Sequence, residues 1–246
     1  MVTKDNTILI TGGGAGIGLA LVRELYYEGN NIIVTGRKEE TLNAVKNEFP
    51  NISTLQCDLM NPRDVNNLLD TCKKAFKPIN VFIGNAGIQQ MFYLQNLRTK
   101  EPNRPYANEA GEISPLHLIY GLVPLIKKNR NPAIILICHG QKISERNSPI
   151  DYRATEKATN NLARWLRSQL SNQGIEVFQI VPPLSDAQLK KGSFKSAISE
   201  ETIAKRFIVD ARKGRYESDI GQSLLFKAIN RLSPAVSKFF WKTTNI

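Results

Sequence analysis

The sequence predicts an α/β protein with one doubly wound parallel sheet of about seven strands and helices on both faces. Three observations predict it. Short β-branched runs alternate with longer stretches of helical period, glycines crowd the junction between the first strand and the first helix, and no linker, repeat or low-complexity segment divides the 246 residues. The whole of 1–246 therefore reads as a single domain.

The elements follow in order. TILIT (7–11) is apolar or β-branched at every position, as a strand covered on both faces must be. A helix over 16–29 ends at Gly29-Asn30, and NIIVTG (31–36) forms the second strand. A helix over 38–48 leads to STLQC (53–57). Asn61 and Pro62 open the helix at 61–76, with proline in the first turn where its missing N–H costs nothing. NVFIG (80–84), a helix over 112–129, AIILIC (133–138), a helix over 152–173 and EVFQIV (176–181) complete the series, and Asn172-Gln173-Gly174 closes the last helix. Residues 88–110 form a long polar connection. Residues 184–246 read as a variable lid and C-terminal segment of the same domain; in 184–215 only polarity and length are legible, and 224–241 looks helical.

With 41% hydrophobic residues the chain can bury a substantial core. Cys57, Cys72 and Cys138 stand far apart, so neither a metal site nor a disulfide framework is expected, and a reducing, cytoplasmic setting fits. No run reaches the roughly 18 apolar residues of a membrane span, and the glycines in 8–22 argue against a signal sequence. Thirty-three basic against twenty-two acidic residues give a net charge of +11. The bases are scattered as singles and pairs, which speaks against nucleic acid and for an anionic cofactor or substrate. Near the C-terminus Phe226, Phe239, Phe240 and Trp241 interleave with Lys227, Lys238 and Lys242, a pattern open to a partner subunit or an anionic membrane. Homodimerisation is favoured over peripheral membrane contact.

Thr11-Gly12-Gly13-Gly14-Ala15-Gly16-Ile17-Gly18 joins the first strand directly to the first helix. Glycines there let the backbone turn tightly and approach a pyrophosphate, whose charge sits at the positive helix N-terminus, so the junction predicts dinucleotide binding on a Rossmann-type sheet. The form TGxxxGxG, with Asn85-Ala86-Gly87 after the fourth strand and Cys57-Asp58-Leu59 after the third, resembles the short-chain dehydrogenase/reductase family over about residues 6–183. Val181-Pro182-Pro183 and Arg231-Leu232-Ser233-Pro234 are similar to a bacterial subgroup associated with D-alanyl-lipoteichoic acid genes. The resemblance implies a cofactor held by Gly12, Gly14, Gly16, Ile17, Gly18, Asp58 at the adenine, Leu59, Asn85, Ala86, Gly87, Tyr152 and Pro182. Arg37, in Thr35-Gly36-Arg37-Lys38, stands where an acid would bond a ribose 2′-hydroxyl; a cation there pairs with a 2′-phosphate, so NADP(H) is expected. The alternative is a solvated basic turn.

The resemblance also implies a catalytic Tyr, a Lys four residues on that lowers its pKa, a Ser after the fifth strand and an Asn in the fourth helix. Tyr152 fills the first position, but Glu156 stands four on and Lys157 five. On a helix the fourth residue shares a face with the first while the fifth lies roughly 140° round, so a carboxylate replaces the cation unless the helix start is rewound. His139 occupies the Ser position, where it could bond a carbonyl oxygen or merely be satisfied at a strand end. Gly111 occupies the Asn position, with Asn108 one turn earlier, and His117 reads as structural. Three readings stay open: an NADP(H)-binding member with atypical chemistry or a non-catalytic, cofactor-dependent role; an active oxidoreductase using Tyr152, His139 and Lys157; and a structural or interaction subunit.

Overall fold

The computed structural model describes residues 1–59, 61–76, 78–85, 115–138, 150–182 and 198–220, with the backbone alone at 115, 116 and 150–159. The strands are β1 (Thr7–Thr11), β2 (Asn31–Gly36), β3 (Ser53–Gln56), β4 (Val81–Gly84), β5 (Ala133–Ile137), β6 (Glu176–Val181) and β7 (Glu217–Asp219). The helices are α1 (Gly16–Tyr27), α2 (Glu39–Glu48), α3 (Pro62–Ala75), α4 (Pro115–Ile126), α5 (Ile150–Leu170) and α6 (Glu200–Arg212). All seven strands form one parallel sheet in the order β3-β2-β1-β4-β5-β6-β7. The order reverses direction beside β1, which places the carboxyl ends of β1 and β4 at a topological switch point.

Side chains alternate across a strand, so each helical layer receives every second residue. Ile8 and Ile10 of β1 face a core shared with α1, α2 and α6, while Leu9 faces one shared with α3, α4 and α5. Both cores are closed to solvent, with Leu21, Leu25, Phe178 and Phe207 buried on the first side and Leu122, Ile126 and Leu166 on the second. Gly121 lets α4 approach α3: a Cβ there would run into the Leu69 side chain.

Among the described residues the expected strands and helices hold with ends shifted by up to three residues, and the helical stretch expected at 224–241 lies outside them. Asn61 caps α3 by accepting from the Arg63 N–H at 3.0 Å, with Pro62 at its first position. Gly174, at φ 73°, follows a 3-10 turn at Ser171–Gln173 that replaces the last turn expected of α5. Two elements differ from expectation. Residues 200–212, read as legible only in polarity, form α6, because Ile203, Ala204, Phe207, Ile208 and Ala211 make one buried stripe and Ser199 caps the start by accepting from Thr202 N–H at 3.2 Å. β7 is three residues, Glu-Ser-Asp, with no apolar alternation to announce it; its register beside Gln179 to Val181 holds it. Among the described residues no helix is long and apolar enough to cross a membrane.

At the amino ends of the strands a buried asparagine cluster ties the sheet together. Asn80 donates to Asn6 Oδ1 at 2.7 Å and Asn6 to Asn30 Oδ1 at 3.0 Å, while Asn80 also accepts from Thr7 N–H at 2.9 Å. Their remaining groups bond backbone, so burial leaves these amides paired. The opposite, carboxyl edge is left to carry the site.

Candidate functional site

The site begins where β1 turns into α1. Gly12 has φ 64° and Gly16 φ 56°, the left-handed region that favours glycine, and a side chain at Gly16 would meet nothing within 4 Å. The Gly12 N–H donates to Thr35 O of β2 at 2.7 Å. Three further glycines are required by contact. A Cβ at Gly18 would run into the Gly12 carbonyl oxygen and stand 2.5 Å from Asn85 Nδ2; one at Gly14 would stand 2.5 Å from Thr41 Cγ2 of α2; one at Gly13 would stand 3.0 Å from Val22 and Val34. The loop therefore lies pressed between β4, α1 and α2.

Asn85 holds it from below. Its side chain donates to Gly12 O at 2.8 Å, and its N–H donates to Thr11 Oγ1 at 3.1 Å, while Thr11 donates to Ile83 O at 3.4 Å. So Asn85 shapes the loop through its underside. The start of α1 has no acidic residue in its first turn, and Ala15 offers no side-chain cap. Its leading N–H groups remain available to an anion.

Arg37 follows β2, is exposed, and has no ion pair among the described residues. Gln56 donates to its carbonyl at 2.9 Å. Arg37 and Asp58 line one cavity of about 370 Å³ with Leu55, Gln56, Asp64, Asn67, Leu68 and Thr71. Asp64 accepts from the Asp58 N–H at 3.0 Å and so sets the turn that presents Asp58. The structure thus joins two of the expected cofactor residues at the β2–β3 side of the loop. Ile17 and Leu59 are half-buried, each packed against a core, and Pro182 is buried at the end of β6.

Thr41, Gln56 and Asp64 were not anticipated. Asp64 carried a signal, as an acid in the first turn of α3; Thr41 and Gln56 act through tertiary contacts that no local pattern announces.

The residues expected to do chemistry stand apart from this well-defined half. α5 runs without interruption from Ile150 to Leu170 and carries Tyr152, Glu156 and Lys157 on one continuous helix. Position 156 is therefore one turn from 152, and position 157 is displaced round the axis. His139, Gly111, Asn108, Ala86 and Gly87 lie outside the described residues, as does the C-terminal aromatic segment. His117 is half-buried and bonds Asn66 Oδ1 at 3.1 Å, tying α4 to α3, which is the structural role expected of it.

The cysteines offer no chemistry of their own. Burial first, then Asp64 and Asp58, push the Cys57 thiol up to about 12, and burial pushes Cys72 up to about 11. All three are buried, and no cluster of ligating side chains suited to a metal occurs among the described residues.

Comparison with known proteins agrees with this geometry. Residues 6–197 match the short chain dehydrogenase family. The uncharacterized oxidoreductase DltE of Bacillus subtilis is 32% identical, with 88% of each chain covered. A short chain dehydrogenase from Burkholderia cenocepacia, solved in complex with NADP, superposes with TM-score 0.77 at 19% identity over 98% of this chain and 99% of that one. An NADPH-bound short chain oxidoreductase from Pseudomonas aeruginosa, described as containing an atypical catalytic center, superposes with TM-score 0.67 at 18% identity over 88% and 96%. Fold, glycine loop and family match coincide over most of the chain, which belongs to the short-chain dehydrogenase/reductase family of oxidoreductases.

Proposed function

We propose that this protein binds NADP(H) and has departed from the usual carbonyl reduction of its family, running atypical chemistry or serving a cofactor-dependent binding or regulatory role. The observation that carries the reading is Glu156, four residues after Tyr152 on an unbroken helix. A phenol of pKa about 10 works as a proton donor or acceptor near neutral pH only when a nearby cation stabilises its anion. A carboxylate at that position raises the phenol pKa instead. His139 and Gly111 at the Ser and Asn positions remove two further partners.

The residues present fit the cofactor. Gly13, Gly14 and Gly18 let the loop lie close against β2, α1, α2 and Asn85, the space beside Gly16 is open at the start of α1, whose N-terminus favours a pyrophosphate, and Arg37, without an ion pair among the described residues, lines one cavity with Asp58. When bound, NADPH supplies a hydride. Gly12 to Gly18 would hold the pyrophosphate, Arg37 the 2′-phosphate and Asp58 the adenine, with Leu59, Asn85 to Gly87 and Pro182 completing the walls. Substrate choice would fall to residues 88–110 and to the segment from 184 onward. Pairing of two copies through α4 and α5 is supported by Tyr120 and Trp165, which are 56% and 43% exposed on those helices.

A second reading, an active oxidoreductase in which Tyr152, His139 and Lys157 form a replacement set, draws support from the atypical centre described for the Pseudomonas neighbour. One experiment separates them. Saturable NADPH binding is expected, weakened about tenfold to a hundredfold by Arg37→Ala with NADH binding unchanged, since charge-assisted bonds to phosphate carry that energy. Turnover across a broad carbonyl panel is expected to be slow and indifferent to His139→Ala. Activity abolished by both Tyr152→Phe and His139→Ala establishes the second reading, and no saturable nucleotide binding leaves only a structural subunit.

A further inference from the structure

The basic pairs that look scattered along the chain are gathered by folding at one place. Lys73 and Lys74 occupy the last turn of α3, and Lys127, Lys128 and Arg130 follow the end of α4. All five are exposed. The two segments are stitched together: Asn129 donates to Ile79 O at 2.7 Å and Asn80 to Arg130 O at 2.9 Å. Asn129 also donates to Leu125 O at 2.9 Å, which closes α4 and turns its own amide inward between three outward cations.

The acids of these two segments do not balance them. Asp70 is the single acid in 70–80 and 124–132, and it takes Lys73 at 3.4 Å. Lys74, Lys127, Lys128 and Arg130 have no ion pair among the described residues, whereas three cations on the α1 and α6 side are matched, Arg23 with Glu48, Lys205 with Glu24 and Arg212 with Glu28. The helix C-terminus accounts for lysines in the last turn of α3, but its field fades within a turn and does not reach Arg130.

We propose that this amino-edge surface, beneath β4 and β5, docks the protein on an anionic phospholipid bilayer. Lysines outnumber arginine in it, and compact point charges suit a diffuse negative plane rather than bidentate recognition of single groups. Nucleic acid would call for aromatic faces on which bases stack; the described aromatic here, Phe76, packs against the α3, α4 and α5 core. The surface lies at the opposite edge of the sheet from the glycine loop, about 15 Å away across a five-residue strand, so docking leaves the cofactor side open to solution.

The test uses the full chain with phosphatidylcholine vesicles and with vesicles that also contain phosphatidylglycerol, followed by co-sedimentation. Binding to the anionic vesicles alone is expected, lost at about 0.3 M salt, where screening is short. The variant K74E/K127E/K128E/R130E is expected to bind about tenfold more weakly or worse, because each lysine near a charged surface contributes several-fold. A control of equal net charge, K46E/R164E/K205E/K213E, is expected to bind as the unmodified chain does, and unchanged thermal melting of the patch variant shows that it folds. Equal binding by the patch variant overturns the proposal and assigns attraction to overall charge or to residues 221–246. Absence of binding to anionic vesicles overturns it outright. Tighter retention of an RNA oligonucleotide, lost in the patch variant, gives the surface to nucleic acid instead.

Discussion

The glycine loop and the head of α5 lie at the same edge of the sheet, yet their backbones ask very different things of the sequence. Three glycines of the loop are closed in by their neighbours: Gly18 by Gly12 and Asn85, Gly14 by Thr41, Gly13 by Val22 and Val34. A substitution there collides with backbone or with a stiff β-branched side chain, so folding itself guards the sequence. At the head of α5 any helix-forming residue satisfies the backbone, and Glu at 156 is as good a helix former as Lys. The backbone thus ties the sequence of the glycine loop to the fold, whereas helix formation alone does not dictate which residue stands at 156.

The strongest way to break this contrast is to rebuild the chemical half alone. The variant Gly111→Asn, His139→Ser, Glu156→Lys is expected to raise NADPH-dependent turnover of simple carbonyls by about a hundredfold to ten-thousandfold, the range that general acid–base systems contribute. Steady-state assays over a carbonyl panel check it, with NADPH binding measured in parallel. A gain of less than threefold with cofactor still bound would falsify the view that these three positions are what was lost.

The cradle is sharpened by Gly18→Ala. One methyl group must displace both the Gly12 carbonyl and the Asn85 amide, so nucleotide affinity is expected to fall beyond about a hundredfold and stability by about 1–3 kcal/mol, the usual toll of overpacking. Calorimetric titration and thermal melting read the two effects separately. Full affinity in this variant would mean the loop reshapes freely, and the contrast with α5 would fail.

The smallest effect concerns the floor beneath the cradle. Cys57 and Cys72 keep their protons in the folded chain up to about 12 and about 11, whereas exposed thiols ionise near 9.0. Above that pH the unfolded chain holds fewer protons than the folded one, so these thiols make stability fall as pH rises from about 9 toward 11. Urea melts across that window are expected to show a shallower decline for Cys57→Ala/Cys72→Ala than for the unmodified chain. Parallel slopes for the two proteins would show that neither thiol is shielded.

What could be read from the sequence follows the same division. Strands such as AIILI announce themselves because a strand buried on both faces tolerates only apolar residues, and all five positions from Ala133 to Ile137 are buried. The glycine loop was legible because its chemistry and its backbone geometry demand the same residue. α6 was legible in principle, through its Ser199 cap and stripe, but its polar outer face obscured it. β7 was not, since three polar residues are held there by partners far away in sequence. Within the site, Arg37 and Asp58 could be assigned from position, whereas Gln56 gripping the Arg37 carbonyl and Asp64 setting Asp58 exist only once β3 and α3 have packed.

The methyl group of Thr41 resting on Gly14 has one more consequence. α2 starts two residues beyond Arg37, so the helix that touches the loop is also the helix that carries the cation's turn. Loop and cation then form a single jaw, joined through α2. Selectivity between nucleotides is in that case a matter of registration as well as of charge, and grafting an acid at position 37 would not by itself make the jaw fit a cofactor that lacks the phosphate.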